Sequence, residues 1–465
     1  LAAGWMRFRL PAAEPLARAR AALRASDADL AVAPDAVLRP LAADWEVSDG
    51  VPRWNLDAWG SPATAHAGTG WIDVRDALAA LPQVTVAVVD PGARVTPQAL
   101  DGVLAPGAGY DTYEETSALK DTHGHGTHVA GIVAGEAGNG VASAGVAPNA
   151  RLLVLRAGAS TFAISDLVQA LTWAADHGAR VVNMSLGGAG AAPAYAPLCD
   201  GIQAVTERGL VVVAAAGNDG ADNDASPHFP ADCPAPGLVS VAATQASGDA
   251  AGQALWPSSD TGATMVDLAA PGGAIVSAGY GSDTAAVSMS GTSMAAPHVA
   301  AAAAVALGMS PGLTPVQVKA RLMWSGRPLG VLAGRTVSGR TLDLAGLVAL
   351  LSAPPADATA PGAPAITAIG PEVAPGLVAT ATPRVDLTEA VDQGTGVSGY
   401  RLVVDGVAQA AAGPAERLWL VPSPVSDGTH EVRVRATDGD GNVADSAPRT
   451  LQVDTTPPEV AGPAA

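Results

Sequence analysis

Hydrophobic residues along this chain follow two patterns, with a break between them. Up to Ser352, short continuous apolar runs alternate with stretches of helical spacing. Residues 84–89, 152–155, 180–184, 211–215 and 238–243 read as strands, and the apolar run 84–89 has the pattern of a strand buried in a parallel sheet. Between two of them, Ser165 to His177 sets Leu167, Val168, Leu171 and Trp173 at helical spacing, which predicts a helix facing a core. The expected fold is α/β, a doubly wound and mainly parallel sheet. Residues 353–364 are a stiff Pro-rich linker, and beyond it the period becomes two. Gly399 to Gln409 carries Asp405-Gly406 as a hairpin turn, and His430 to Ala436 alternates cleanly, so residues 365–454 are expected to form an all-β sandwich. The tail from Asp454 echoes the linker from Asp357, which makes 455–465 the start of a further linker or repeat.

Four polar residues stand where these elements end. Asp90 closes the first strand, at the carboxyl edge of the sheet where α/β proteins gather ligands. His125 opens a small-residue helix in Asp121-Thr-His-Gly-His-Gly-Thr-His-Val-Ala-Gly. Asn218 follows the strand that ends at Ala216-Gly217. Ser293, in Ser290-Gly-Thr-Ser-Met-Ala-Ala-Pro-His298, opens a long alanine-rich helix running towards Leu307. A hydroxyl there meets the unpaired N–H groups and positive dipole end of the helix, although serine is also an ordinary N-cap. A nucleophile needs a base, and a base needs a carboxylate to orient it; His125 and Asp90 supply that chemistry.

Those four segments, VVDPG, HGTHVAG, AAAGN and GTSMAAPH, occur in the order Asp, His, Asn, Ser, and over roughly residues 52–352 the chain resembles the subtilisin-type serine proteases, the subtilases. The resemblance implies a fold of subtilisin type and a triad of Asp90, His125 and Ser293, with Asn218 as oxyanion donor. It also implies a cleft lined on one side by Ser185, Leu186, Gly187 and Gly188 and on the other by Ala214, Ala215, Ala216 and Gly217. Their small, uncharged side chains favour apolar or neutral residues before the scissile bond, with an extended substrate added as a strand. Pro91 departs from the family, which usually has Ser or Thr there, and removes a backbone donor. His123 and His128 flank the base without a metal-binding pattern around them, and His298 reads as a packed histidine.

Composition narrows the setting. The net charge of −19 argues against nucleic acid as a partner. Gly, Pro or charge interrupts each apolar run, so no membrane span is expected. Cys199 and Cys233 are the only cysteines, open to pairing or to burial as thiols; the resemblance implies a disulfide and, with it, a secreted protein. Residues 1–51 resemble the later part of a subtilase inhibitor prosegment, with strands at 5–10 and 29–41 and a helix at 14–26. Cleavage is then expected between Arg39 and Pro52, and the alternative is an extension packed on the catalytic domain. No cofactor is needed for the chemistry. Structural calcium is a family expectation, yet Ala99 stands where an acidic ligand belongs and Asp101 is displaced. The remaining candidates are Asn139, Asp222, Asp224, Asp438 and Asp440.

Two function classes follow: a monomeric secreted endopeptidase acting on proteins or peptides and restrained by its own prosegment, or an inactive protease-like scaffold serving adhesion. In either, the β-sandwich is a candidate for binding cell wall or polymer.

Overall fold

The structure is a computed structural model that describes residues 37–40, 44–46 and 68–456, apart from 97, 137–143, 248–251, 353–358 and short breaks within 371–423 and 439–441. The expected elements at 5–10 and 14–26, most of that at 29–41, and Asn139 and Asp440 lie outside the described residues. The chain divides into two compact units, Leu1–Pro355 and Ala356–Ala465.

The first unit begins with β1 (Val37–Pro40), β2 (Asp44–Glu46), α1 (Trp71–Leu78), β3 (Val84–Asp90), β4 (Leu104–Asp111) and α2 (His125–Ala134). It continues with β5 (Ala150–Arg156), β6 (Phe162–Ala163), α3 (Ile164–Asp176), β7 (Val181–Met184), β8 (Leu186–Ala189), α4 (Ala192–Glu207), β9 (Val211–Ala215) and β10 (His228–Phe229). Next come β11 (Leu238–Ala246), β12 (Gln253–Leu255), β13 (Leu268–Pro271), β14 (Ile275–Ala278), β15 (Ala286–Ser290) and α5 (Thr292–Met309). The unit closes with α6 (Pro315–Ser325), β16 (Arg327–Pro328), β17 (Arg340–Thr341) and α7 (Leu344–Ser352).

The central sheet runs β16-β17-β13-β11-β9-β7-β3-β5-β4, with β12 beside β11. Every pairing from β13 through β4 is parallel. Alternate residues enter two cores, as a strand buried on both faces must. Val86 and Val88 join one with α2 and α5, while Ala87 and Val89 join the other with α3 and α4. The parallel order puts the carboxyl ends of β3, β7 and β9 side by side, and the four polar residues follow those ends or open helices beside them.

Helix α5 is long and apolar enough to cross a membrane by length and composition. Of its length 94% is buried inside the unit, so it is a central core helix. Two small antiparallel sheets, β10-β8-β1-β6 and β14-β15-β2, each take in a strand from residues 37–46.

Among its described residues the second unit is all-β, with a three-stranded sheet and a seven-stranded sheet. In the strand Gly428–Asp438 the residues Val432, Val434, Ala436 and Asp438 are buried in strict alternation. The expected hairpin turn is present: Asp405 and Gly406 both have positive φ, 50° and 78°, and join Val404 to Val407.

Candidate active site

Asp90 is the last residue of β3, and His125 is the first residue of α2. The His125 ring donates from Nδ1 to Asp90 Oδ1 at 2.7 Å, and the two residues are 0% and 1% exposed. That bond fixes the tautomer and leaves Nε2 as an acceptor, with no hydrogen-bond partner among the described residues. Burial pushes the Asp90 carboxyl up from 3.8 to about 6, against the opposing pull of His125. Gly126 explains the glycine of the HGTH motif: a Cβ there would lie 2.0 Å from Gly92 O and 2.7 Å from Asp90 Oδ1.

Ser293 is the second residue of α5, with Gly291 at the N-cap. Its hydroxyl donates to the Ser185 carbonyl at 3.0 Å, and the Ser185 hydroxyl returns a bond to the Ser293 carbonyl at 2.7 Å. Val89 stands opposite Met184 in the sheet, so Asp90 and Ser185 are the next positions on neighbouring strands. The serine is thereby held beside the Asp–His pair, with its hydroxyl turned to Ser185 rather than donated to His125.

Asn218 faces the same helix start. Its Oδ1 accepts from the Thr292 amide and the Thr292 hydroxyl, both at 2.9 Å. Anchoring the oxygen makes the amide nitrogen the end that can donate.

Ser185 to Gly188 lie at the junction of β7 and β8. Ala214 and Ala215 end β9, with Ala216 and Gly217 following it, and all three alanines are fully buried. Strand β1 is inserted antiparallel between β6 and β8, with Arg39 opposite Gly187 and Pro40 opposite Leu186. Strand β2 pairs with β15, which leads directly into the serine turn.

The Pro91 carbonyl accepts from Arg156 Nε at 3.1 Å, and Arg156 is itself paired with buried Asp111 at 2.7 Å. A cation from β5 thus anchors the turn where the proline removed a donor. His128 gives its Nε2 hydrogen to the Ile275 carbonyl and has its pKa lowered to about 3 by burial. His298 bonds the Met294 carbonyl and is lowered to about 4 by the same cause, and both are packed histidines. Cys199, on α4, and Cys233, after β10, form a disulfide with Cα atoms 5.1 Å apart.

Three of the calcium candidates, Asp222, Asp224 and Asp438, lie among the described residues. Asp222 accepts the Asp224 amide, Asp224 accepts the Thr264 and Met265 amides, and Asp438 accepts both the backbone and side-chain amides of Asn442. The Asp222 and Asp438 bonds close local turns, whereas Asp224 bridges to a segment 40 residues on. Ala99 is buried and Asp101 exposed.

A buried Asp–His pair beside a helix-start serine, at the carboxyl edge of a parallel sheet, is the architecture of an α/β serine hydrolase. The Subtilase family model matches residues 82–342, and the chain belongs to that family. It is 40% identical over 232 residues to a thermophilic serine proteinase of a Bacillus species, which covers 47% of this chain and 51% of that relative. It is 36% identical over 243 residues to an extracellular serine proteinase of a Thermus species, 52% of this chain and 54% of the relative. The chain therefore spans about half the length of each. A solved structure of a Pseudoalteromonas arctica protease superposes with TM-score 0.53 at 28% identity, over 64% of this chain and 98% of that one.

Proposed function

We propose that this protein is a secreted serine endopeptidase in which Ser293 is the nucleophile, His125 the base, Asp90 its orienting carboxylate and Asn218 an oxyanion donor. The observation that carries the reading is the buried Asp90–His125 pair ending in a partnerless Nε2. A buried ring nitrogen without a partner costs about 1–3 kcal/mol, and a reacting hydroxyl would supply the missing hydrogen.

A substrate strand added to β8 places one residue opposite Ser185, and its N–H competes for the carbonyl that holds the Ser293 hydroxyl. Displaced, the hydroxyl turns to His125 Nε2, which takes its proton as Oγ bonds to the substrate carbonyl carbon. The oxyanion is met by the Asn218 amide and the Ser293 N–H at the start of α5. The imidazolium, balanced by Asp90, then protonates the leaving amine, and water activated by His125 releases the acyl group.

The chain's own β1 supports the register. Pro40 stands opposite Leu186, and the residue after it in sequence is Leu41, an apolar residue of the kind proposed before the scissile bond. Residues 37–46 then act as an internal inhibitor, cut after Leu41. The disulfide and the extracellular relative both support secretion.

The test is fluorophosphonate labelling and N-terminal sequencing of the purified chain beside Ser293→Ala. Labelling and a new N-terminus at Ala42, both lost in the variant, are expected. If the chain neither labels nor hydrolyses casein after removal of residues 1–46, the reading fails in favour of an inactive scaffold.

A further inference from the structure

A second group of ionisable side chains in the first unit has no part in the proposed hydrolysis. Asp219 follows Asn218, His228 opens β10, and Asp260 lies in the segment before β13; one ligand atom from each lies within 4.8 Å of the others. Asp260 is 0% and His228 3% exposed, while Asp219 faces solvent. The amides of Asp219 and Ala221 both donate to Asp260 Oδ1 at 2.8 Å, which fixes that carboxylate. Its Oδ2 points at His228 Nδ1, 3.5 Å away, and neither Oδ2 nor His228 Nε2 has a hydrogen bond among the described residues.

The surroundings hold this gap open. Gly217 has φ 129°, and a Cβ there would lie 1.9 Å from Asp260 Oδ2 and 2.9 Å from His228 Nδ1, so only glycine leaves the two atoms room. No Lys or Arg occurs in the sequence between Arg208 and Lys319, and among the described residues none pairs with Asp219 or Asp260. A fully buried carboxylate oxygen with no donor is costly, so the site calls for a positive partner.

The donor set selects which one. Two carboxylates and an imidazole suit a first-row divalent metal, whereas calcium and magnesium take oxygen ligands throughout. Zinc bonds of about 2.0–2.1 Å in a tetrahedron separate the ligand atoms by about 3.4 Å. The 3.5 Å between Asp260 Oδ2 and His228 Nδ1 is already that spacing, and exposed Asp219 can close on the ion by a rotamer change.

We propose that Asp219, His228 and Asp260 bind one zinc-class divalent cation, with the fourth position open to water on the Asp219 side. The cation would tie together three segments around the oxyanion asparagine. These are the Asn218 loop, the Asp260 segment whose amide donates to Gly217 O, and β10, whose His228 and Phe229 pair with Ala189 and Gly188 of the cleft strand.

The test uses the full chain carrying Ser293→Ala, which prevents self-digestion, stripped with chelator and titrated with Zn²⁺ by calorimetry and with Co²⁺ by visible absorption. One equivalent is expected, with the intense absorption of four-coordinate cobalt. Asp219→Ala alters an exposed side chain and should keep the fold, as circular dichroism would check, yet weaken binding at least about tenfold, in the range that disturbing a metal site costs. His228→Ala and Asp260→Asn should abolish it. No binding by the parent, or equal binding by parent and Asp219→Ala, overturns the site. So does an absence of binding in which the wild-type active chain instead favours Lys or Arg before the scissile bond and Asp219→Ala loses that preference, for the cluster would then read substrate charge. Cobalt binding is measured without turnover, so it stands or falls separately from the protease reading.

Discussion

Asp90 carries the sharpest conflict in the molecule at the scale of single residues, because burial opposes the charge that its role demands. It must be ionised to hold the His125 N–H and to balance an imidazolium, yet its pKa is raised to about 6. Below that value the carboxyl is protonated, so kcat/KM on a peptide substrate is expected to fall about tenfold per pH unit under pH 6 and to recover above it. The stability sign is opposite. With a folded pKa above the usual 3.8, the folded chain binds the extra proton between 3.8 and about 6, and ionised Asp90 detracts from stability above that window. Asp90→Asn should therefore raise the unfolding temperature at pH 8 while lowering turnover about 10⁴-fold. Asn218→Ala is expected to cost about 10²- to 10³-fold in kcat with KM little changed, measured on the same peptide. The four segments that carry these proposed residues were legible from motif and order. The hydrogen bond of Ser293 to the Ser185 carbonyl was not, because a rotamer is chosen by neighbours that come from a different part of the chain.

At the scale of elements, β3, β5, β7, β9 and β11 were readable because a strand buried on both faces is mostly apolar. Helix α3 was readable from its stripe. Helix α4 carries Pro193 and Pro197, yet Tyr195, Leu198, Ile202 and Val205 keep helical spacing and are buried. Strands β6, β8 and β10 are two to four residues long and exist only through pairing with distant partners. The Cys199–Cys233 bond joins α4 to the segment after β10 across a separation of 34. By loop entropy its removal should cost about 3–4 kcal/mol. The Cys199→Ser/Cys233→Ser double variant, followed by denaturant unfolding, checks this; an unchanged midpoint would show the loop to be fixed by packing alone.

At the scale of the whole molecule, every proposed catalytic residue and every residue of the proposed cleft belongs to the first unit, and the second unit begins at Ala356. A chain ending at Pro355 should hydrolyse a short peptide with unchanged kcat/KM once residues 1–46 are removed. It should also lose one of two calorimetric transitions, since separate compact units unfold separately. A large fall in kcat/KM would show that the β unit contributes to the cleft. The change of apolar period near Ser352 announced this division, because period reports which faces are buried and neighbouring residues suffice to state it. Sequence alone also determined the parallel sheet, the order of the four motifs and the Asp405-Gly406 turn, all properties of residues close in the chain. Only tertiary structure decided that Asp90 meets His125 in a dry site, that Arg156 anchors the turn at Pro91, and that residues 37–40 lie between β6 and β8. It alone gathered Asp219, His228 and Asp260 as well. Each of these is a contact between segments far apart in sequence, fixed by how strands and helices pack, and no local pattern of apolar and polar residues encodes such a distance.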